Sequence, residues 1–358
     1  MSKKHFSWLL AATLVVAAVL LLLPGKTSKE SALEPRPLVP GLAERVNDIS
    51  RVRITGAGSL PVATLLRKGE GWVVEEAQSY PADWARLKGL LAAVAQAQVI
   101  EPKTSNPAYF DRLGLVDVDQ EDSTAVMVEI GEGEDAVSLL LGQVAQGRDG
   151  QYVRFAGTEQ ALLIDRTVEM SAELRDWLDR EVIDLAEAEV VEVALTHPDG
   201  EQLSVRKVSA DDEDFTLQDI PPGRKIQSSW SVNSLGGGLA DLQLDEVTPD
   251  SNVDWSQSIQ VRVLTADGLE IKAELAKPGE TAWLRLTASA YLPEASSPKE
   301  TGAEQAATGP GTAIRAESEE RAEAINRRVS GWAYALPEFK AQVLSKRRED
   351  LLAPAGAG

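Results

Sequence analysis

Two stretches far apart in this chain repeat one order of features, and a repeat demands a single supersecondary unit that works twice. In the first stretch Val52-Arg53-Ile54 alternates apolar and polar residues, Gly56-Ala57-Gly58 marks a turn, and Leu65 runs on into Arg67-Lys68. In the second, Val191-Glu192-Val193 leads through the turn His197-Pro198-Asp199-Gly200 to Leu203 and then Arg206-Lys207. Val52 to Arg67 and Val191 to Arg206 each span 15 positions. An aromatic strand follows in both, Trp72-Val73-Val74 and Phe215-Thr216-Leu217, the second after the acidic run Asp211 to Asp214.

A proline-led helix is expected next in each copy. After Pro81, the residues Trp84, Leu87, Leu90, Leu91 and Val94 recur at three- and four-residue steps, the period of an amphipathic helix. The second helix has Trp230, Leu235, Leu239 and Leu242 as its apolar positions and is weakened by Gly236-Gly237-Gly238, about 1 kcal/mol for each glycine. Alternation at period two then predicts strands. In the first copy these are Thr124 to Ile130, Val137 to Leu141, Gln151 to Phe155 and Ala161 to Asp165, closed by a short helix over Val168 to Leu178. In the second they are Ile259 to Val263, Leu269 to Leu275 and Trp283 to Leu286, with Ala266-Asp267-Gly268 as a hairpin turn.

The fold expected is α+β: a single N-terminal transmembrane helix, then a duplicated module of antiparallel strand hairpins packed with amphipathic helices. The first α+β repeat is placed at residues 42–180 and the second at 181–292. Residues 293–312, rich in Glu, Ala, Ser, Gly, Thr and Pro, are expected to be a disordered insertion. Residues 313–358 complete the second repeat with a helix over Ala313 to Val329, the apolar Gly331 to Pro337, and a last helix over Phe339 to Leu352.

Before the repeats stands Phe6 to Leu23, which carries no charge and approaches the roughly 20 residues of a bilayer-spanning helix. Residues 1–5 are a leader with Lys3 and Lys4; residues 24–41 are a proline-rich linker with Pro24, Pro35, Pro37 and Pro40. Past the run no small-x-small site for signal cleavage follows, so residues 6–23 are expected to stay as an anchor. The short leader places the N-terminus in the cytoplasm. The expected location is the bacterial inner membrane, single-pass, with the main body periplasmic.

The net charge of -20 makes nucleic acid an unfavourable partner and keeps the body soluble. Without cysteine there are no disulfides, thiolate zinc sites or cysteine nucleophiles. Of the two histidines, His5 is in the leader and His197 precedes proline in a turn. Asp117-x-Asp119-x-Glu121-Asp122 with Glu129 faintly follows a calcium loop, but Asp122 stands where that loop requires glycine. Asp211 to Asp214 reads as a solvated hairpin tip. Gly131-x-Gly133 and the triple glycine match neither a phosphate loop nor a dinucleotide fingerprint. No residue is assigned a catalytic, cofactor-binding or metal-binding role. Trp72, Trp84, Trp230 and Trp283 are expected inward, and Trp177, Trp255 and Trp332 are the candidates for an interface.

Several short motifs point the same way: Leu38-Val39-Pro40-Gly41-Leu42 before Val46-Asn47-Asp48-Ile49, Leu66-Arg67-Lys68 leading into Trp72, Ala82-Asp83 opening a helix, Arg112-Leu113-Gly114-Leu115, and Gly331-Trp332-Ala333-Tyr334-Ala335-Leu336-Pro337. With the apolar anchor, they make the chain resemble a bacterial envelope family known only as a domain of unknown function. Its members are often encoded beside gliding-motility-type ABC transporter components. The resemblance implies an accessory, non-enzymatic envelope subunit, with inner-membrane or periplasmic proteins such as ABC-type transporter components as partners and no cofactor. The triple glycine and the 293–312 insertion depart from the family pattern. Two alternatives stay open: an extracytoplasmic glycan- or peptide-binding module with its site between the repeats, and a hydrolase with paired carboxylates.

Overall fold

A computed structural model describes residues 35–147, 149–277, 280–291 and 310–354. The leader, the apolar run 6–23, the linker up to Glu34 and most of the 293–312 insertion lie outside them. Among the described residues no helix is long and apolar enough to cross a membrane.

The chain is a mixed α+β protein with antiparallel sheets and few helices. In chain order, β1 (Arg36–Pro37), β2 (Arg51–Thr55), β3 (Pro61–Lys68), β4 (Gly71–Val74) and β5 (Tyr80–Pro81) come first. They are followed by β6 (Gln98–Pro102), β7 (Val126–Ile130), β8 (Val137–Val144), β9 (Gln151–Phe155) and β10 (Ala161–Ile164). These ten form one sheet in the order β1-β6-β10-β9-β8-β7-β2-β3-β4-β5.

The second half contributes β11 (Glu181–Ile183), β12 (Val190–Thr196), β13 (Gln202–Lys207), β14 (Phe215–Leu217) and β15 (Leu242–Gln243). It continues with β16 (Val247–Pro249), β17 (Ile259–Thr265), β18 (Leu269–Ala276), β19 (Trp283–Ala290) and β20 (Trp332–Ala335). Strands β11 and β15 pair with each other, and the rest form a sheet in the order β14-β13-β12-β17-β18-β19-β20-β16. Read from the same side, the first sheet contains β4-β3-β2-β7-β8-β9-β10-β6. Step for step, the two sheets have one connectivity.

The ladders also fix which residues correspond. Val52 pairs with Leu65, and Arg67 with Trp72; Val193 pairs with Val205, and Lys207 with Phe215. Val52 thus matches Val193 and Arg67 matches Lys207, not Val191 and Arg206 as the equal spacings implied. The cause is a register shift at Ile54/Thr55 and a 3-10 turn at Ala57–Ser59 in the first hairpin. The second hairpin closes on the tight turn from His197 to Glu201.

The helices are α1 (Leu42–Arg45), α2 (Trp84–Gln96), α3 (Ser229–Asn233), α4 (Pro310–Val329), α5 (Glu338–Leu344) and α6 (Arg348–Leu351). Several differ from expectation. The linker's end is part of the body: β1 pairs with β6, and Leu38 and Val39 are buried. Helix α4 begins at Pro310, inside the stretch expected to be disordered, with proline in the first turn where its missing amide costs nothing. The helix expected over Val168 to Leu178 is only a 3-10 turn, Leu174–Trp177. There the buried Trp177 donates Nε1–H to the Ser171 carbonyl at 3.1 Å, and Leu178 bridges to Ala82, drawing the chain into an extended path. The last helix is split into α5 and α6 at Arg347, whose backbone is extended and donates its N–H to the Asp350 carboxylate at 2.8 Å to cap α6; beside the break Lys346 reaches back to Ser231 and Ser234.

The two halves meet along a packed seam. At the end of the first half Asp83 donates its backbone N–H to the Trp177 carbonyl at 2.9 Å and Asp179 donates to the Pro81 carbonyl at 3.0 Å, so the chain leaves for the second half held against the start of α2. Tyr80, on the edge of the first sheet, packs edge-to-face on Trp332 of the second at 5.1 Å between centroids, with Tyr334 at 6.2 Å. Tyr80, Trp177 and Tyr334 are all fully buried, and burial pushes the Tyr80 phenol up to about 12. One apolar core runs through the seam from Leu38 to Leu352, and a smaller one surrounds Phe110, Leu115 and Leu140.

Candidate functional site

Helix α2 has two working faces. Asp83 caps it, accepting the Arg86 backbone N–H at 2.9 Å, the usual role of aspartate at this position. Leu87, Leu90, Leu91 and Val94 are buried against the sheet. Trp84, Lys88, Ala92 and Ala95 form the neighbouring strip, one helical turn apart, and small residues there leave space. Opposite stand α1 and the 3-10 turn Val46–Asp48, with Arg67 and Trp72 of the β3–β4 hairpin between. The result is a groove of about 480 Å3 lined by Val46, Trp72, Trp84, Lys88, Ala92 and Ala95 among others. That volume lies within the range of small-ligand and peptide sites. Arg67 ties the far wall by donating from Nη1 to the Asn47 carbonyl at 2.7 Å. Lys88 has no ion-pair or hydrogen-bond partner among the described residues.

The second half fills the corresponding place with its own chain. Lys207, the match of Arg67, donates to the Ala188 carbonyl at 3.0 Å, tying down the 3-10 turn Glu187–Glu189 as Arg67 ties down Val46–Asp48. Its ammonium lies 5.2 Å from the ring of Phe215, the match of Trp72. Helix α3 then stops after Asn233 and the glycines descend onto these groups. A Cβ at Gly236 would overlap the Phe215 ring, one at Gly237 would come within 3.0 Å of Glu187, and one at Gly238 within 2.5 Å of Leu344. The triple glycine is therefore a requirement of close approach, not a weakness in a helix. Lys340 seals the turn, its Nζ donating to the Gly237 and Ala240 carbonyls at 2.5 and 2.7 Å. Burial holds the Lys340 amine below the ordinary lysine value, against the pull of Asp241 and Glu187.

The tryptophans are distributed differently from expectation. Trp84 is 54% and Trp230 77% exposed, because each stands in the first turn of its helix, beyond the sheet it was expected to cover. Trp230 is out of phase with Leu235 and Leu239 because α3 ends between them. Trp177 is buried and Trp332 half-buried at the internal seam, and Trp255 carries the Arg285 guanidinium at 4.5 Å. Trp72 and Trp283 are half-buried.

Other candidates have structural partners. His197 is buried, its Nε2 3.0 Å from the Lys346 carbonyl. Asp117 pairs with the buried Arg154 at 2.6 Å, and its loop docks on residues 57–59. Among the described residues no three histidine or carboxylate side chains converge on a metal-sized site. At the acidic hairpin tip, Asp212 accepts the Ser209 amide and Asp214 an Asn233 amide hydrogen. Ser234 Oγ lies 2.8 Å from Lys346 Nζ, the spacing of a nucleophile and its base. That ammonium also holds both oxygens of Ser231, and the Ser234 hydroxyl donates to the Ser231 carbonyl. Asp179 is held above the ordinary carboxylate range by burial; it sits in the seam beside Tyr80 and Arg328, away from the groove. The groove itself was missed by sequence reasoning. Its signal was the strip Trp84, Lys88, Ala92, Ala95 beside the leucine face.

The model of one family, described as a domain of unknown function (DUF4340), matches residues 72–260, a little over half of the chain. The match begins at the groove's Trp72 and runs through the seam and the glycine turn. No curated protein and no solved structure matches the chain.

Proposed function

Because the chain belongs to the DUF4340 family of domains of unknown function, we propose that it is a membrane-anchored, extracytoplasmic, non-enzymatic accessory protein. Its body is a tandem of two copies of one unit, and it serves as a protein-binding platform in an ABC-type transport or gliding-type envelope complex of the bacterial inner membrane. The observation that carries this reading is the contrast between the halves. One connectivity occurs twice, closed by its own chain in the second half and left as an apolar, tryptophan-lined groove in the first. The apolar run 6–23 supports an anchor with the body in the periplasm, and the transporter association rests on the family resemblance. The polar groups at His197, Asp117, Asp212, Asp214 and Ser234 are engaged in holding the fold, which supports a binding role over a hydrolytic one.

The test is fractionation and co-purification of the full chain. It is expected in the membrane fraction after carbonate washing, degraded by protease only once the outer membrane is opened, and recovered from mild detergent with transporter components. Recovery from the soluble fraction, or from detergent with no other protein, would falsify this reading.

A second reading, a glycan- or peptide-binding module, draws on the groove's size and its two tryptophans. Its site would be the groove, since Tyr80, Trp177 and Tyr334 fill the space between the halves. Stabilisation of the protein against heat by cell-wall fragments, lost in Trp84→Ala, would favour it.

A further inference from the structure

We propose that the groove of the first half receives a polypeptide turn from a membrane-resident partner, seated as the glycine turn 234–241 is seated in the second half. This rests on the reading of the chain as an anchored platform and names what that platform binds.

The matching place in the second half shows what such a groove accepts. There the occupant is a backbone turn with small residues where it crosses an aromatic ring, Gly236 on Phe215. Leu235 and Leu239 beside it are fully buried. Its carbonyls end on a lysine, Gly237 and Ala240 on Lys340 Nζ. The first half has the aromatic floor, Trp72, in the matching place, but α2, which stands where the turn does, holds back from it and leaves the space open. Ala92 and Ala95 line the helix side of that space, and Lys88 is a cation on its rim, as Lys340 of another helix is beside the turn. Among the described residues Lys88 has no ion-pair or hydrogen-bond partner, on a chain of net charge -20. It suits the carbonyl end of a turn, or a carboxylate beside it, as Lys340 does.

Placement selects the partner. The wall formed by Val46 and Asn47 is reached through β1 and α1 from the chain's first 34 residues, the stretch that contains the apolar run. From Leu23 to Pro35 the backbone reaches roughly 40 Å at full extension. A segment that meets the groove therefore belongs to a protein held in or against the same membrane.

The experiment places a benzophenone amino acid at position 95, on the groove wall, in the full chain in its native membrane, with the same probe at Val208 as reference. Val208 is 87% exposed on the β13–β14 hairpin. The expected result is a protease-sensitive adduct from position 95 whose peptide comes from a membrane protein, at least about fivefold stronger than from 208. Ala92→Trp, which fills the groove, should cut that adduct at least fivefold with an unchanged melting temperature. Should Ala92→Trp fold poorly, Lys88→Glu is expected to give the same loss. An adduct of lipid or glycan mass, a soluble periplasmic protein as the adduct, or equal yields from 95 and 208 would overturn the proposal. So would the absence of an adduct from a chain that still co-purifies with transporter components, which leaves the platform reading standing. A chain that washes off the membrane removes both.

Discussion

The two halves of this molecule solve the same packing problem with different amounts of chain. In both, a cation from the third strand of the repeat holds a 3-10 turn by its carbonyl, Arg67 on Asn47 and Lys207 on Ala188. In both, an aromatic side chain of the next strand faces a helical segment. The first half keeps that segment as a regular helix, which cannot come closer than its side chains allow. The second half breaks it after five residues at α3 and lets bare glycine backbone drop onto the ring. Regular helix leaves a groove, and broken helix removes it. The difference is local, a matter of three glycines and one lysine, while the sheets beneath stay equivalent.

If the second half is closed by packing and the first is open, equivalent truncations should cost unequal amounts. Phe215→Ala removes a buried ring from beneath the glycines and is expected to destabilise by about 3–5 kcal/mol. Trp72→Ala, at the matching and half-buried position, should cost about 1–2 kcal/mol. Urea unfolding of the two variants checks this, and equal losses would mean that the groove is closed in solution. Enlargement should be asymmetric in the same sense. Gly236→Val places carbon atoms inside the Phe215 ring, for about 2–3 kcal/mol of overpacking. Its backbone needs no positive φ, so the cost is one of space alone. Ala92→Leu extends into the open groove and should change stability by less than about 0.5 kcal/mol. Third, Lys340→Met strips two carbonyls of a charged donor and should cost about 2 kcal/mol. Arg67→Met leaves the exposed Asn47 carbonyl to water, for about 0.5–1 kcal/mol.

Much of the scaffold under this comparison is legible in the sequence. Alternation places Val52 and Ile54 inside and Arg51 and Arg53 outside, and it does the same for Val261 and Val263. Ala266-Asp267-Gly268 reads as a hairpin turn and is one, with Gly268 at φ +88°. The leucine face of α2 is equally plain. What period and composition do not carry is anything set by approach between distant segments. Gly236 to Gly238 looks like a weakened helix until Phe215 and Leu344 are brought to it. Trp84 falls within the apolar stripe of its helix, and only the sheet edge beneath shows that the stripe runs out before it. Strand β2 lies beside β7, with 70 residues between them, a neighbour that no local pattern selects. The contrast between an open groove and a filled one is likewise set by approach between distant segments.

The smallest expected difference between the halves concerns pH, and it belongs to the closed one. Burial lowers the proton affinity of the amines of Lys340 and Lys346 in the folded protein, whereas the unfolded chain keeps lysine near its ordinary value. Between the lowered folded values and the ordinary one, the unfolded state binds more protons, so stability rises with pH through that window. The contribution is complete above the ordinary lysine value and lost as pH falls through the folded values. Both side chains are partly exposed, so solvent screens the effect and keeps it small. Urea midpoints of the wild type and of the Lys340→Met, Lys346→Met double variant should therefore differ by a constant amount at neutral and acidic pH. On the alkaline side the gap should widen, since only the wild type gains from deprotonation. A gap that stays constant throughout would mean that the glycine turn does not bury its lysines, and that the two halves are more alike than their packing indicates.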